Sequence, residues 1–152
     1  MHSLGFIQFI ACLFSAAYAD QLLVPQEFNS IQSALDIAQN GDSVFVAAGV
    51  YNEQIQITGN SVLLASTAGA LVTTINAEQE GTTIVINSSQ LDESVEIRGF
   101  TVRGGFAPLD GDVFGGGLRM IGGSATIRDN IFSDNSAYLG GGAAFLGCSP
   151  HL

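Results

Sequence analysis

The spacing of hydrophobic and polar positions changes once along this chain. Ile31, Ala34, Leu35 and Ala38 recur at i, i+3, i+4 and i+7, which lines one face of a helix. Ser30 stands where an N-cap belongs, and Asn40-Gly41 offers residues that take positive φ and stop a helix. Beyond Gly41 the period falls to two, or to short apolar runs. These are Val44-Phe45-Val46, Ile55-Gln56-Ile57, Val62-Leu63-Leu64, Thr83-Ile84-Val85-Ile86 and Val95-Glu96-Ile97, then Phe100-Thr101-Val102 and Leu118-Arg119-Met120-Ile121. Ala125-Thr126-Ile127, Ile131-Phe132 and Ala143-Ala144-Phe145 complete the series. Gly, Asn, Asp or Ser bounds each run, so the pattern predicts one helix followed by many short strands with turn chemistry between them.

The strands repeat. Gly115-Gly116-Gly117-Leu118 recurs as Gly140-Gly141-Gly142-Ala143, 25 residues later. Ile97-Arg98 matches Ile127-Arg128, and Phe100-Thr101-Val102 matches Asn130-Ile131-Phe132. A period of roughly 20–30 residues holding three short strands suits a stack of coils in which each strand pairs with its equivalent one period on. Thirteen of the 19 glycines fall between Gly99 and Gly147, at the turns of this stack. A β-sandwich would fit the strand lengths but would not require a recurring glycine triplet. The expected fold is therefore all-β: a right-handed parallel β-helix with a short N-terminal capping α-helix.

The block Val24-Pro25 … Ser30-Ile31-Gln32-Ser33-Ala34 … Gly41-Asp42-Ser43-Val44 … Gly49-Val50-Tyr51-Asn52-Glu53 resembles the N-terminal cap and first coil of the pectate-lyase-like superfamily of right-handed β-helix proteins. Gly99-Phe100-Thr101-Val102 and Phe132-Ser133-Asp134-Asn135 … Gly140-Gly141-Gly142 resemble its later repeats. The latter block is also similar to the Phe-x-x-Asn and Gly-Gly-Ala repeats of polymorphic outer-membrane autotransporters, which are surface adhesins. The resemblance implies a scaffold in which Phe fills the core, Asn satisfies turn backbone groups and Gly permits the bend.

Ahead of the helix, Leu4 to Ala17 is an apolar run ending at Ala17-Tyr18-Ala19, a small-x-small cleavage pattern. Residues 1–19 are expected to be a signal peptide cut between Ala19 and Asp20, and residues 20–152 one β-helix domain without membrane insertion. The chain halts after the second glycine triplet and its strand, so the domain is expected to be truncated at its C-terminus, a fragment or early-terminated copy of a longer protein. The expected location is secreted or cell surface. After cleavage one cysteine remains, Cys148, which leaves no internal disulfide framework. Asn87-Ser88-Ser89 is a sequon, so Asn87 is a candidate for N-glycosylation.

Charge narrows the partners. Fourteen acidic residues stand against four basic ones, a formal net charge of −10, and all four basic residues are arginines. That field argues against nucleic acid. It leaves a polysaccharide or a cell-surface glycan as the expected partner.

Catalytic constellations are sparse. The Gly49-Val50-Tyr51-Asn52-Glu53 element is shared with pectinesterases, but their Gln-Asp pair, Asp-Phe-x-Phe-Gly and Gly-Arg-Pro-Trp elements are missing. A polysaccharide lyase needs a base and acidic calcium ligands beside a uronate. Without lysine that base is an arginine, and Arg98 and Arg128 hold matching repeat positions, with Asp129 and Asp134 near Arg128. Asp110-Gly111-Asp112 is the candidate calcium loop, with Asp110 and Asp112 as ligands. The function expected is a carbohydrate- or surface-binding platform without complete catalytic machinery. The alternatives are the N-terminal part of a lyase or pectinesterase-like enzyme, and an adhesin or autotransporter passenger segment.

Overall fold

The computed structural model describes residues 19–87, 94–107 and 113–152. Among them every strand pairing is parallel. The single helix among the described residues, α1 (Ile31–Leu35), follows the first strand, β1 (Gln21–Val24). The chain then visits three sheets in a fixed order. β2 (Ser43–Val46) enters the first sheet, β3 (Gly49–Asn52) the second and β4 (Ile55–Thr58) the third. β5 (Leu63–Ser66), β6 (Thr73–Asn76) and β7 (Ile84–Asn87) repeat that circuit.

Two more circuits carry an extra short strand each. β8 (Ser94–Arg98), β9 (Thr101–Arg103), β10 (Phe106–Ala107) and β11 (Leu118–Ile121) form one. β12 (Ser124–Arg128), β13 (Ile131–Ser133), β14 (Ser136–Ala137) and β15 (Ala143–Leu146) form the next, and β16 (Ser149–His151) returns to the first sheet. The first sheet therefore runs β1-β2-β5-β8-β12-β16, the second β3-β6-β9-β13 and the third β4-β7-β11-β15, with β10 pairing β14.

The predicted repeats are in register. Leu118 pairs with Ala143, Ile97 with Ile127, and Thr101 with Ile131, so both expected offsets, 25 and 30, are the pairing offsets. Offsets vary from 20 (Val44 with Leu64) to 34 (Ile84 with Leu118), because the longer circuits include residues 88–93 and 108–112. Alternation decides which side chains point inward. They stack in columns such as Val44-Leu64-Ile97-Ile127 and Ile57-Ile86-Met120-Phe145, and all but Phe145 in these columns are buried. Stacked strands about 4.8 Å apart keep each column in van der Waals contact.

α1 covers one end of this core with Ile31, Ala34 and Leu35. Its cap is as expected: Ser30 Oγ accepts from Ser33 N–H at 3.1 Å, and Ser33 Oγ accepts from Ser30 N–H at 3.3 Å. The helix is shorter than the sequence predicts, ending at Leu35 instead of running on to Asn40. Later backbone groups have other partners. Gln39 N–H donates to Asp42 Oδ2 at 2.8 Å, and the Ala38 carbonyl accepts from Asn60 Nδ2 at 2.9 Å. Ala38 is still buried with the helix face, whereas Ile37 is exposed.

Candidate binding groove

The outer face of the third sheet carries a recessed surface. Gln56 of β4, Val85 of β7, Arg119 of β11 and Ala144 of β15 are register partners and point away from the buried columns. The first three form the floor of a groove of about 600 Å³. One wall is Phe106-Ala107 of β10 with Gln54, Gly81 and Thr82 from the turn that enters the sheet. Gln32 and Asp36 of the α1 region close the end beside β4.

That end is built by a side chain imitating a strand. β4 is the last strand of its sheet. Gln32 Oε1 accepts from Gln56 N–H at 2.7 Å while Gln32 Nε2 donates to the Gln56 carbonyl at 3.1 Å and to Asp36 Oδ1 at 2.7 Å. Gln56 is thus held by its main chain, and its exposed side chain lines the groove. Phe106, 40% exposed, is among the lining residues. One arginine, Arg119, and one aspartate, Asp36, give the lining a formal charge of zero in a chain of −10. The lining mixes apolar surface with amide, hydroxyl and charged groups.

The residues singled out in the sequence fall elsewhere. Tyr51 and Glu53 are structural. The Glu53 carboxylate accepts from Ile31 N–H and Gln32 N–H, both at 2.9 Å, so it sits on the N-terminus of α1. Tyr51 Oη donates to the Ala47 carbonyl at 2.9 Å. Burial, and then the Glu53 charge, push the Tyr51 phenol above its ordinary 10.0.

Arg98 and Arg128 are register partners on the outer face of the first sheet, as their matching positions imply. Glu96 lies beside both: Arg98 Nε is 3.5 Å and an Arg128 guanidinium nitrogen 2.6 Å from its Oε1. Arg128 also bonds Asp129 at 2.8 Å, and that bond leads the causes that raise its guanidinium pKa. Both arginines are thus paired with carboxylates on this face.

Asp134 parts from this cluster. It lines a separate pocket of about 380 Å³ with Arg103, Asn76, Glu78 and Gln79, an association that sequence distance concealed. Asn87 ends β7 and is exposed; Ser88 and Ser89 of its sequon lie outside the described residues. Asp110 and Asp112 also lie outside them, as do residues 1–18 of the expected signal peptide. The Asp20 N–H donates to Asp42 Oδ1 at 2.8 Å.

Among the described residues no three His, Cys, Asp or Glu side chains gather closely enough to hold a metal ion. Among those residues, too, no helix is long and apolar enough to cross a membrane. Cys148 is half-buried with Sγ 3.8 Å from the Met120 carbonyl, and burial raises its thiol pKa. Sequence reading missed Gln54, Thr82, Val85, Phe106 and Arg119. The signal was there in outward positions of register-matched strands, but it needed the pairing to be read. No protein-family model matches the chain, nor does any curated protein or any solved structure.

Proposed function

We propose that this chain is an exported right-handed parallel β-helix of the pectate-lyase-like kind, and that it binds carbohydrate along its lateral groove at or outside the cell surface. The fixed order of sheets, with each strand paired to its equivalent one circuit on, supports the β-helix. Parallel strands of one sheet joined by a crossover are right-handed almost without exception, which gives the hand. The observation that carries the function is the groove over Gln56, Val85 and Arg119, walled by Phe106 and open to solvent. Export rests on the leader-like run before Asp20.

The test is retention of purified 20–152 on a panel of insoluble polysaccharides and a glycan array. Saturable retention of folded protein, abolished by unfolding it, is expected. No retention on any glycan overturns the reading.

A second reading, part of a polysaccharide lyase, is favoured by one observation: Arg103 shares its pocket with Glu78 and Asp134. It predicts unsaturated product, read by ultraviolet absorbance, from polygalacturonate with calcium, and loss of that product in Arg103→Ala.

A further inference from the structure

We infer that the groove on the third sheet takes an uncharged glycan chain, lying across strands β4, β7 and β11, and not a polyuronate. The inference rests on the carbohydrate-binding reading above and names its ligand class. The lining as a whole offers no surplus of positive charge, since Arg119 on the floor is matched by Asp36 at the end beside β4. A polyanion entering it would meet the field of a −10 chain with a single arginine against the many carboxylates of the polymer. A desolvated carboxylate without a partner is costly, whereas a sugar hydroxyl needs only one donor or acceptor.

The lining supplies those in neutral form. The exposed amides of Gln54 and Gln56 and the hydroxyl of Thr82 carry both donors and acceptors. The part-exposed Phe106 and the Val85 side chain supply an apolar surface. A pyranose presents a ring of C–H groups on one face and hydroxyls at its rim. The electron-rich face of an aromatic ring attracts the former, while the amides address the latter. Because the floor residues are register partners on successive strands, the lining repeats along the stacking axis at about 4.8 Å. A chain of sugars lying along that axis meets an amide, an aliphatic group and a guanidinium in turn.

The experiment is isothermal titration of purified 20–152 with soluble neutral glycans (hydroxyethylcellulose, glucomannan, xyloglucan) and with polygalacturonate, the latter with and without calcium. Phe106→Ala and Gln56→Ala are the variants; both change exposed side chains, and circular dichroism and Tm confirm that each is folded. A neutral glycan is expected to bind at least about tenfold more tightly than polygalacturonate, and Phe106→Ala to weaken it about tenfold. Gln56→Ala is expected to weaken it severalfold.

Tighter binding of polygalacturonate, weakened by the same variants, overturns the neutral class and leaves the platform standing. Neutral-glycan binding that neither variant changes overturns the groove as its site and also leaves the platform standing. Heat-free titrations with every glycan, together with no retention on the wider panel, overturn the platform itself.

Discussion

Asn130 and Asn135 each reach back to the preceding circuit and satisfy two backbone groups there. Asn130 Oδ1 accepts from Phe100 N–H and its Nδ2 donates to the Ile97 carbonyl, both at 2.9 Å. Asn135 does the same for Gly105 N–H at 2.9 Å and the Val102 carbonyl at 2.8 Å. Replacing Asn130 with alanine leaves a partly buried donor and acceptor without partners, so a loss of about 2–3 kcal/mol is expected, read by urea denaturation. Asn130→Asp keeps the acceptor and loses the donor, and is expected to fall between the two. Glycine matters for a different reason at Gly105, where an added Cβ would run into the Gly116 carbonyl oxygen of the chain packed against it. The thiol of Cys148 belongs to the same scale. Burial holds its pKa above the unfolded value, so its contribution to stability is fully present below the unfolded thiol pKa of about 8.5 and is lost as pH rises through the folded value. Alkylation of Cys148 is therefore expected to be slower in the folded protein than in urea at pH 8, and to accelerate at higher pH when folded. Equal rates at every pH would refute that environment.

Glu53 shows how one side chain joins two elements. It follows β3, yet its carboxylate holds the first two N–H groups of α1, twenty-two and twenty-one residues back. Glu53→Ala is expected to destabilise the protein by about 2 kcal/mol, since it leaves two helix-start donors without their charged acceptor. Glu53→Gln removes the charge and keeps one acceptor oxygen. The Tyr51 phenol is then expected to ionise at lower pH than in the parent but still above 10.0, because burial is the larger cause of its shift. The sign follows for stability: Tyr51 contributes below pH 10 and that contribution fades as pH rises through the raised value. Absorbance of tyrosinate against pH checks it. At this scale the sequence was legible where inward positions are apolar. β2, β4, β7, β8, β11, β12 and β15 all lie on predicted runs. β3 and β6 do not show themselves, because β3 puts Val50 outward and β6 buries Thr73, bonded to Ser66 Oγ at 2.6 Å, in place of a hydrocarbon. The groove escaped for a related reason. Outward residues carry no period of their own, and only pairing across 29 and 34 residues puts Gln56, Val85 and Arg119 side by side.

Taken as a whole, the molecule is finished at one end by side chains rather than by strands. α1, Gln32, Glu53 and Asn60 cover the start of the core, and Asp42 ties Asp20 to it. At the opposite end Phe132, Ala143, Phe145 and Cys148 are only half-buried. The negative charge bears on the first of these ends. Asp42 is 6% exposed, and its two oxygens accept from Asp20 N–H and Gln39 N–H. A buried carboxylate held by neutral donors is stabilised further by a full positive charge. In a chain that begins at Asp20 that charge would be present, because the Asp20 nitrogen would be an α-ammonium in the same place, 2.8 Å from Asp42 Oδ1. A chain beginning at Asp20 is therefore expected to be about 1 kcal/mol more stable near pH 6 than the same chain acetylated at Asp20, or about 3 °C in Tm. The difference should shrink as pH rises beyond the range in which an α-amino group loses its proton. It should also vanish in Asp42→Asn, where no carboxylate remains to be paired. Equal melting temperatures for the free and acetylated chains at pH 6 would show that Asp42 gains nothing from a terminus at this position.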